Sequence, residues 1–303
     1  MRRFNINDIV NLALYQPPAV YKNQVAVITT LRLAHFDVVK KLFSIDAFAI
    51  GYVLKGHSTT YFNNTPYSIQ AGDIFILAPT HICQIPDCSP DYRIRLLLLD
   101  ANVHNMSVHL NYIVKSERWT QSYFNPVIRL TADEAKIMST SIDRIVEQIT
   151  RPECPNKSAI LRLAVTWHHV ELDNIMQKHE NEIKDNNRPL TRQQALARQL
   201  YLLLVNNYRK EHQTRFYSEQ MCLTPQYLNQ IAVNVFRKTL SALISSLLYS
   251  TARAMILASD MSIQEIADEL NFPDQASFSK FIKKTAKVSP NALRKMNPHK
   301  EAI

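Results

Sequence analysis

Gln226, Asn229 and Gln230 sit close together on a stretch that can be helical, just after Pro225. About fifty residues on, Gln275, Ala276, Ser279, Lys280 and Lys283 repeat the arrangement with more charge. Carboxamides pair two-point with adenine, and hydroxyl and ammonium groups reach base edges or phosphates. A helix carrying such a polar, basic, small-residue face fits the major groove of DNA. Arg237 and Arg253 are further candidates for phosphate contact. A second set of chemical groups lies far upstream. His57 and His81 have the donor chemistry of metal ligands, and Tyr52, Tyr61, Phe75 and Arg95 have that of a pocket lining.

The elements that must position the first set are legible. Ser262 with Glu265 forms a capping box, and Ile263, Ile266, Ala267 and Leu270 recur at helical spacing. Asn271-Phe272-Pro273-Asp274 breaks that helix, and Asp274 is placed to cap the next, whose inward stripe is Phe278, Phe281 and Ile282. A weaker copy lies upstream, with Phe216-Tyr217 aligned on Ile266-Ala267 and Leu228 on Phe278. Its turn falls near Cys222-Leu223-Thr224, with Thr224 as N-cap and Pro225 at the first helical position. The expected spans are 215–239 for the first helix-turn-helix, 240–259 for a linker helix without Gly or Pro, and 262–288 for the second. Residues 195–208 read as the helix that opens this region.

The framework S-I-x-E-I-A, F-x-D, S-x-F, F-x-K-K and S-P with an arginine behind it, running from Ser262 to Arg294, resembles the signature of the AraC family of bacterial transcription regulators. The resemblance implies two recognition helices in successive major grooves, set apart by the linker helix. It also implies a homodimer, contact with RNA polymerase, and an activating role. Glycine usually ends each recognition helix in that family; here Arg237 and Lys287 stand in those places, so a left-handed turn at either costs about 1 kcal/mol.

Charge agrees with a polyanionic partner. The chain has 35 Lys plus Arg and 26 Asp plus Glu, and from residue 187 onward the count is 16 basic against 8 acidic. Residues 1–186 are nearly balanced. No continuous apolar run approaches the ~18 residues a membrane span needs, and no signal peptide follows Met1-Arg2-Arg3. Cys83, Cys88, Cys154 and Cys222 form no C-x-x-C pair. A cytoplasmic protein is expected.

Upstream, short strand-like runs at 25–33, 47–54, 58–62, 73–77 and 94–99 alternate with turn signals. The stretch Tyr67 to Pro79 is similar to the hairpin of cupin barrels. Metal-dependent cupins place two His and an acid on one strand pair; Thr59 and Asn63 stand in two of those places here, beside His57. No metal, cofactor or catalytic set is therefore expected, and an organic effector is the expected guest. Residues 131–150 and 157–180 read as amphipathic helices. The apolar stripe of the first is Ile137, Ser141, Ile145 and Ile149, and the second carries Ile160, Leu163, Val165, Trp167, Val170, Leu172 and Ile175. The pair suits dimerisation.

The expected architecture is α+β: an N-terminal antiparallel β-barrel, cupin or jelly-roll-like, with two trailing helices, then an all-α DNA-binding domain. The boundaries are 1–180 for the sensing and dimerisation domain, 181–193 for a linker and 194–303 for the DNA-binding domain. The function expected is a sequence-specific, effector-responsive transcription regulator that is not an enzyme. The rival is a cupin-type ligand-binding protein or enzyme with a basic helical tail.

Overall fold

The computed structural model describes residues 2–12, 17–33, 37–63, 65–79, 81–100, 103–104, 122, 124–179, 191–236, 238–258 and 261–295. It divides into two compact units, Met1–Leu190 and Thr191–Ile303. The expected linker residues 181–190 lie outside the described residues.

The first unit is built from β1 (Arg2–Phe4), α1 (Ile6–Val10), β2 (Ala19–Tyr21), β3 (Val25–Arg32), a 3-10 turn (Asp37–Lys40), β4 (Phe43–Ile45), β5 (Phe48–Lys55), β6 (His57–Phe62), β7 (Thr65–Gln70), β8 (Asp73–Leu77), β9 (Cys83–Cys88), β10 (Arg93–Leu99) and β11 (Val127–Arg129). Two sheets form, ordered β1-β4-β9-β6-β7 and β11-β8-β5-β10-β3-β2. All the pairings are antiparallel except β1 with β4, which is parallel. The alternation on β10 shows how one strand serves two cores. Ile94, Leu96 and Leu98 point between the sheets, while Leu97 and Leu99 point to the opposite face.

That opposite face is covered by α2 (Ala132–Thr150) and α3 (Lys157–Lys178). Thr131 and Glu134 make the expected capping box at the start of α2. The buried stripe is shifted from the expected one: Met138, Ser141, Ile142, Ile145 and Ile149 face the sheet, and Ile137 is exposed. On α3 the sheet-facing residues are Leu161, Val165, His168, His169, Leu172, Ile175 and Met176, and Leu163 is 68% exposed. Apolar side chains lie on several sides of α3, so their presence alone could not fix its phase.

Buried polar groups tie the helices to the sheet. Ser141 Oγ donates to the Met138 carbonyl, so it accepts from His168 Nδ1, 2.8 Å away. His168 Nε2 then accepts from the Tyr52 hydroxyl at 2.9 Å. Every member is satisfied with a neutral ring, and burial pushes His168 well below the ordinary imidazole value.

The second unit contains α4 (Arg192–Asn207), α5 (Thr214–Gln220), α6 (Pro225–Phe236), α7 (Leu240–Ala258), α8 (Ile263–Glu269), α9 (Gln275–Ala286) and α10 (Pro290–Lys295). Helix α4 starts earlier than expected, because Thr191 and Gln194 form a capping box. Helix α7 is apolar on average although Ser, Thr and Arg interrupt it. Its residues 240–257 have a mean hydropathy of 1.4, enough by length and composition to cross a membrane. Yet Leu240, Ile244, Leu248, Ala252 and Ile256, spaced four apart, are buried in the helical unit itself. A bond of 2.8 Å joins Thr251 of α7 to Tyr208 beyond α4.

Candidate nucleic-acid interface and barrel cavity

Two helix-turn-helices flank α7, and the same local chemistry builds both. At the end of α8, Asn271 is left-handed (φ 55°), its N–H bonds the Asp268 carbonyl and that of Phe272 bonds Ala267. At the end of α5, Cys222 is left-handed (φ 52°), its N–H bonds Glu219 and that of Leu223 bonds Ser218. Both are Schellman stops, in which the last carbonyls find donors through one left-handed residue. Each following helix is then capped. Thr224 Oγ1 accepts from the Tyr227 N–H, and Asp274 accepts from the Ser277 N–H, which holds its carboxyl below the usual range.

These stops correct the alignment of the two copies. Between the left-handed residue and the N-cap the first copy has Leu223 alone, whereas the second has Phe272 and Pro273. Tyr217 and Ser218, both buried, therefore occupy the places of Ile266 and Ala267, one residue later than the sequence pattern indicated. Beyond the caps the expected register holds, with Leu228 and Phe278 both fully buried and Thr239 and Ser289 both capping the helix that follows.

The two second helices present unlike faces. On α6, Pro225, Gln226 and Gln230 are exposed as expected, together with Asn234, to which Gln230 donates at 2.7 Å. Tyr227, 41% exposed, joins this face and was not singled out from the sequence, although an aromatic beside a cap is a readable signal. Asn229 differs from its neighbours on this face. It is half-buried, and its Oδ1 accepts from the Leu240 N–H at 3.1 Å, so its acceptor caps α7. On α9, Gln275, Ala276, Lys280 and Lys283 are exposed, joined by Lys284, and Ser279 is half-buried. Lys287 ends α9 with φ 63°, so the lysine does adopt the left-handed turn. The side chain of Arg253 is half-buried on α7, and Arg237 lies outside the described residues.

The second unit braces these helices from within. Asn271 Nδ2 donates to the Lys210 carbonyl at 2.8 Å, and the Phe272 ring lies 4.8 Å from that of His212. Arg294 donates to the carbonyls of Met261 (2.5 Å) and Ile256 (3.4 Å), which ties α10 to α7 and to the residue before the α8 cap.

In the first unit, the space between the sheets contains a cavity of about 60 Å³. Of the six expected pocket residues, Phe75 alone lines it. Tyr52 bonds His168 on the helix-covered face, and Arg95 pairs with Asp143 and Ser139 of α2 there. His57 is exposed, Tyr61 is half-buried, and His81 is buried with Nδ1 accepting from the Ala78 N–H. The two histidines are thus turned to different surroundings, and the described residues contain no cluster of three or more His, Cys, Asp or Glu able to hold a metal.

Residues 217–296 match the model of a helix-turn-helix domain, and residues 43–102 match that of an AraC-like ligand binding domain. Among solved structures, the C-terminal domain of the response regulator AraT from Geobacillus stearothermophilus aligns at 21% identity. That alignment covers 37% of this chain and 94% of that one, with a TM-score of 0.35. The C-terminal domain of the two-component response regulator yesN from Fusobacterium nucleatum aligns at 20%, covering 31% and 93%, with a TM-score of 0.30. Unsaturated fatty acid bound ToxT from Vibrio cholerae aligns at 14%, covering 90% and 95%, with a TM-score of 0.35. No curated protein sequence matches the chain.

Proposed function

We propose that this chain, an AraC-family regulator with a ligand-binding and a helix-turn-helix domain, binds specific DNA through α6 and α9 and answers to an effector held in its N-terminal unit. The observation that carries the DNA reading is the twice-built unit of left-handed stop and side-chain cap, each followed by a second helix whose first turn is exposed. The charge excess sits in the same unit, where phosphates would draw on it. Lysines of α9 hold the backbone, and Gln226 and Gln230 of α6 reach base edges.

Exposed Ile137 on α2 and Leu163 on α3 support a homodimer formed through these helices. An activating role, contact with RNA polymerase and a cytoplasmic location follow from the family resemblance. The place of the effector is supported by the cavity between the sheets.

The test is a titration of the purified chain against the DNA upstream of its own and neighbouring genes, with scrambled DNA as control, at physiological salt. A specific regulator prefers its site by roughly 10³-fold or more. Absence of any binding, even at low salt, overturns the reading.

A further inference from the structure

The outward face of α6 carries two kinds of group, and one type of base pair answers both. Gln226, Gln230 and Asn234 follow each other four residues apart, while Leu228, Ile231, Ala232 and Phe236 are buried on the other side. Gln230 Nε2 donates to Asn234 Oδ1 at 2.7 Å, which orients the Gln230 amide. Its second Nε2 hydrogen and its Oε1 remain, a donor beside an acceptor. In the major groove adenine presents the complement, its N7 acceptor beside its N6 amino donor, whereas guanine presents two acceptors.

The second kind of group is apolar. At about 100° per residue, Tyr227 falls on one flank of the amide row and the half-buried Val233 on the other. Thr224 Oγ1 accepts from the Tyr227 main-chain N–H, which holds this residue in the first turn, and Tyr227 is 41% exposed. Among the described residues of the second unit no other large hydrophobic side chain is so exposed. Such a surface gains by meeting another apolar group, and the apolar group that the major groove offers is the C5 methyl of thymine. The first turn of the second helix is also the part that meets base edges in helix-turn-helix docking.

Resting on the reading of α6 as a DNA-reading helix, we infer that its half of the site is rich in A·T pairs. Adenine edges meet the Gln226 and Gln230 amides, and thymine methyls pack on Tyr227 and Val233. Tyr227 is then a specificity-determining residue, since its ring distinguishes thymine from cytosine, which lacks the methyl.

The test is selection by the full chain from a random duplex library at physiological salt, repeated with Tyr227→Ala. The half-site whose base preference changes is the one under α6, and it should be A·T-rich. Uracil in place of thymine at the changed position removes only the methyl and should weaken wild-type binding about 4-fold. Placing 7-deazaadenine, which lacks N7, at the contacted adenine should cost about 5-fold. At the changed position Tyr227→Ala should bind thymine and uracil duplexes alike, while Tyr227→Phe keeps the preference for thymine. A G·C-rich half, unchanged preferences in Tyr227→Ala, or equal wild-type affinity for thymine and uracil overturns the inference and leaves specific DNA binding standing. If the library yields no enriched sequence, the proposed function falls and this inference falls with it.

Discussion

Helices α6 and α9 are the same device with opposite chemistry. Past the caps, Gln226 corresponds to Ala276, Gln230 to Lys280, Val233 to Lys283 and Asn234 to Lys284. Helix α6 carries no charged residue along its whole length, and α9 carries three lysines before the fourth that ends it. An uncharged amide gains little from a phosphate and much from a base edge, whereas an ammonium gains mainly from phosphates. Under the proposed function this difference divides the work, with sequence selection given to α6 and salt-sensitive grip to α9.

The strongest way to break this division is to remove the charge of α9. Replacing Lys280, Lys283 and Lys284 together by Ala should weaken binding on the order of 10²-fold on every DNA, specific or scrambled. The slope of log K against log salt should become shallower by about 3, since each lost phosphate contact accounts for ~0.9. A loss confined to the specific site would show that α9 reads bases, and the contrast would collapse.

Gln230→Ala tests the other half. Discrimination at one base pair should fall by about 1–3 kcal/mol, with the salt slope unchanged. In the wild type Gln230 also donates to Asn234, an exposed pair that DNA must break or use. Competition titrations over single-base variants of the site give the answer, and a uniform loss across variants would place Gln230 on the backbone instead.

Much of this region was legible in the sequence, for definite reasons. Caps and stops are local chemistry: Ser262 with Glu265, Asp274, and Thr224 with Pro225 act within four residues, so the pattern sufficed. What failed depended on tertiary context. The place of Phe216 and Tyr217 was set by one extra residue in the second turn, which spacing from the buried Leu228 and Phe278 could not reveal. The bond from the Leu240 N–H to Asn229 Oδ1 joins residues eleven apart on different helices, which no local pattern reveals. In the first unit, strands β3, β5, β6, β8 and β10 were visible, whereas the six-residue β9, with Pro86 inside it, was not. Strands β1, β2, β4 and β11 have three residues each, and β4 is buried throughout, so no alternation marks them. The cavity lining comes from segments spread between residues 4 and 96, which explains why Phe75 alone was found.

Asn229 permits a smaller test of the same contrast. As a cap, its loss in Asn229→Ala should cost about 1 kcal/mol of stability in thermal melts. Asn229→Asp keeps an acceptor for the Leu240 N–H and should melt near the wild type. If the Ala variant melts like the wild type but changes base preference, Asn229 belongs to the reading face after all. The equivalent Ser279 has no such link to a following helix among the described hydrogen bonds, so Ser279→Ala should leave stability nearly unchanged.

The finest comparison lies in the stops themselves. Cys222 and Asn271 hold the same left-handed position, with φ of 52° and 55°, and Lys287 holds another at 63°. Asparagine tolerates this region better than other residues with a Cβ, and glycine better still. The first copy therefore carries strain that the second avoids in its turn and accepts at the end of its recognition helix. Cys222→Gly and Lys287→Gly should each stabilise the chain, by up to about 1 kcal/mol, in denaturant melts of unchanged slope. Lys287→Gly should also lower DNA affinity if its ammonium lies near a phosphate, whereas Cys222→Gly should leave it untouched. A stabilised Lys287→Gly variant with full affinity would mean that this lysine is kept for neither fold nor grip, and that the charge asymmetry between α6 and α9 rests on Lys280, Lys283 and Lys284 alone.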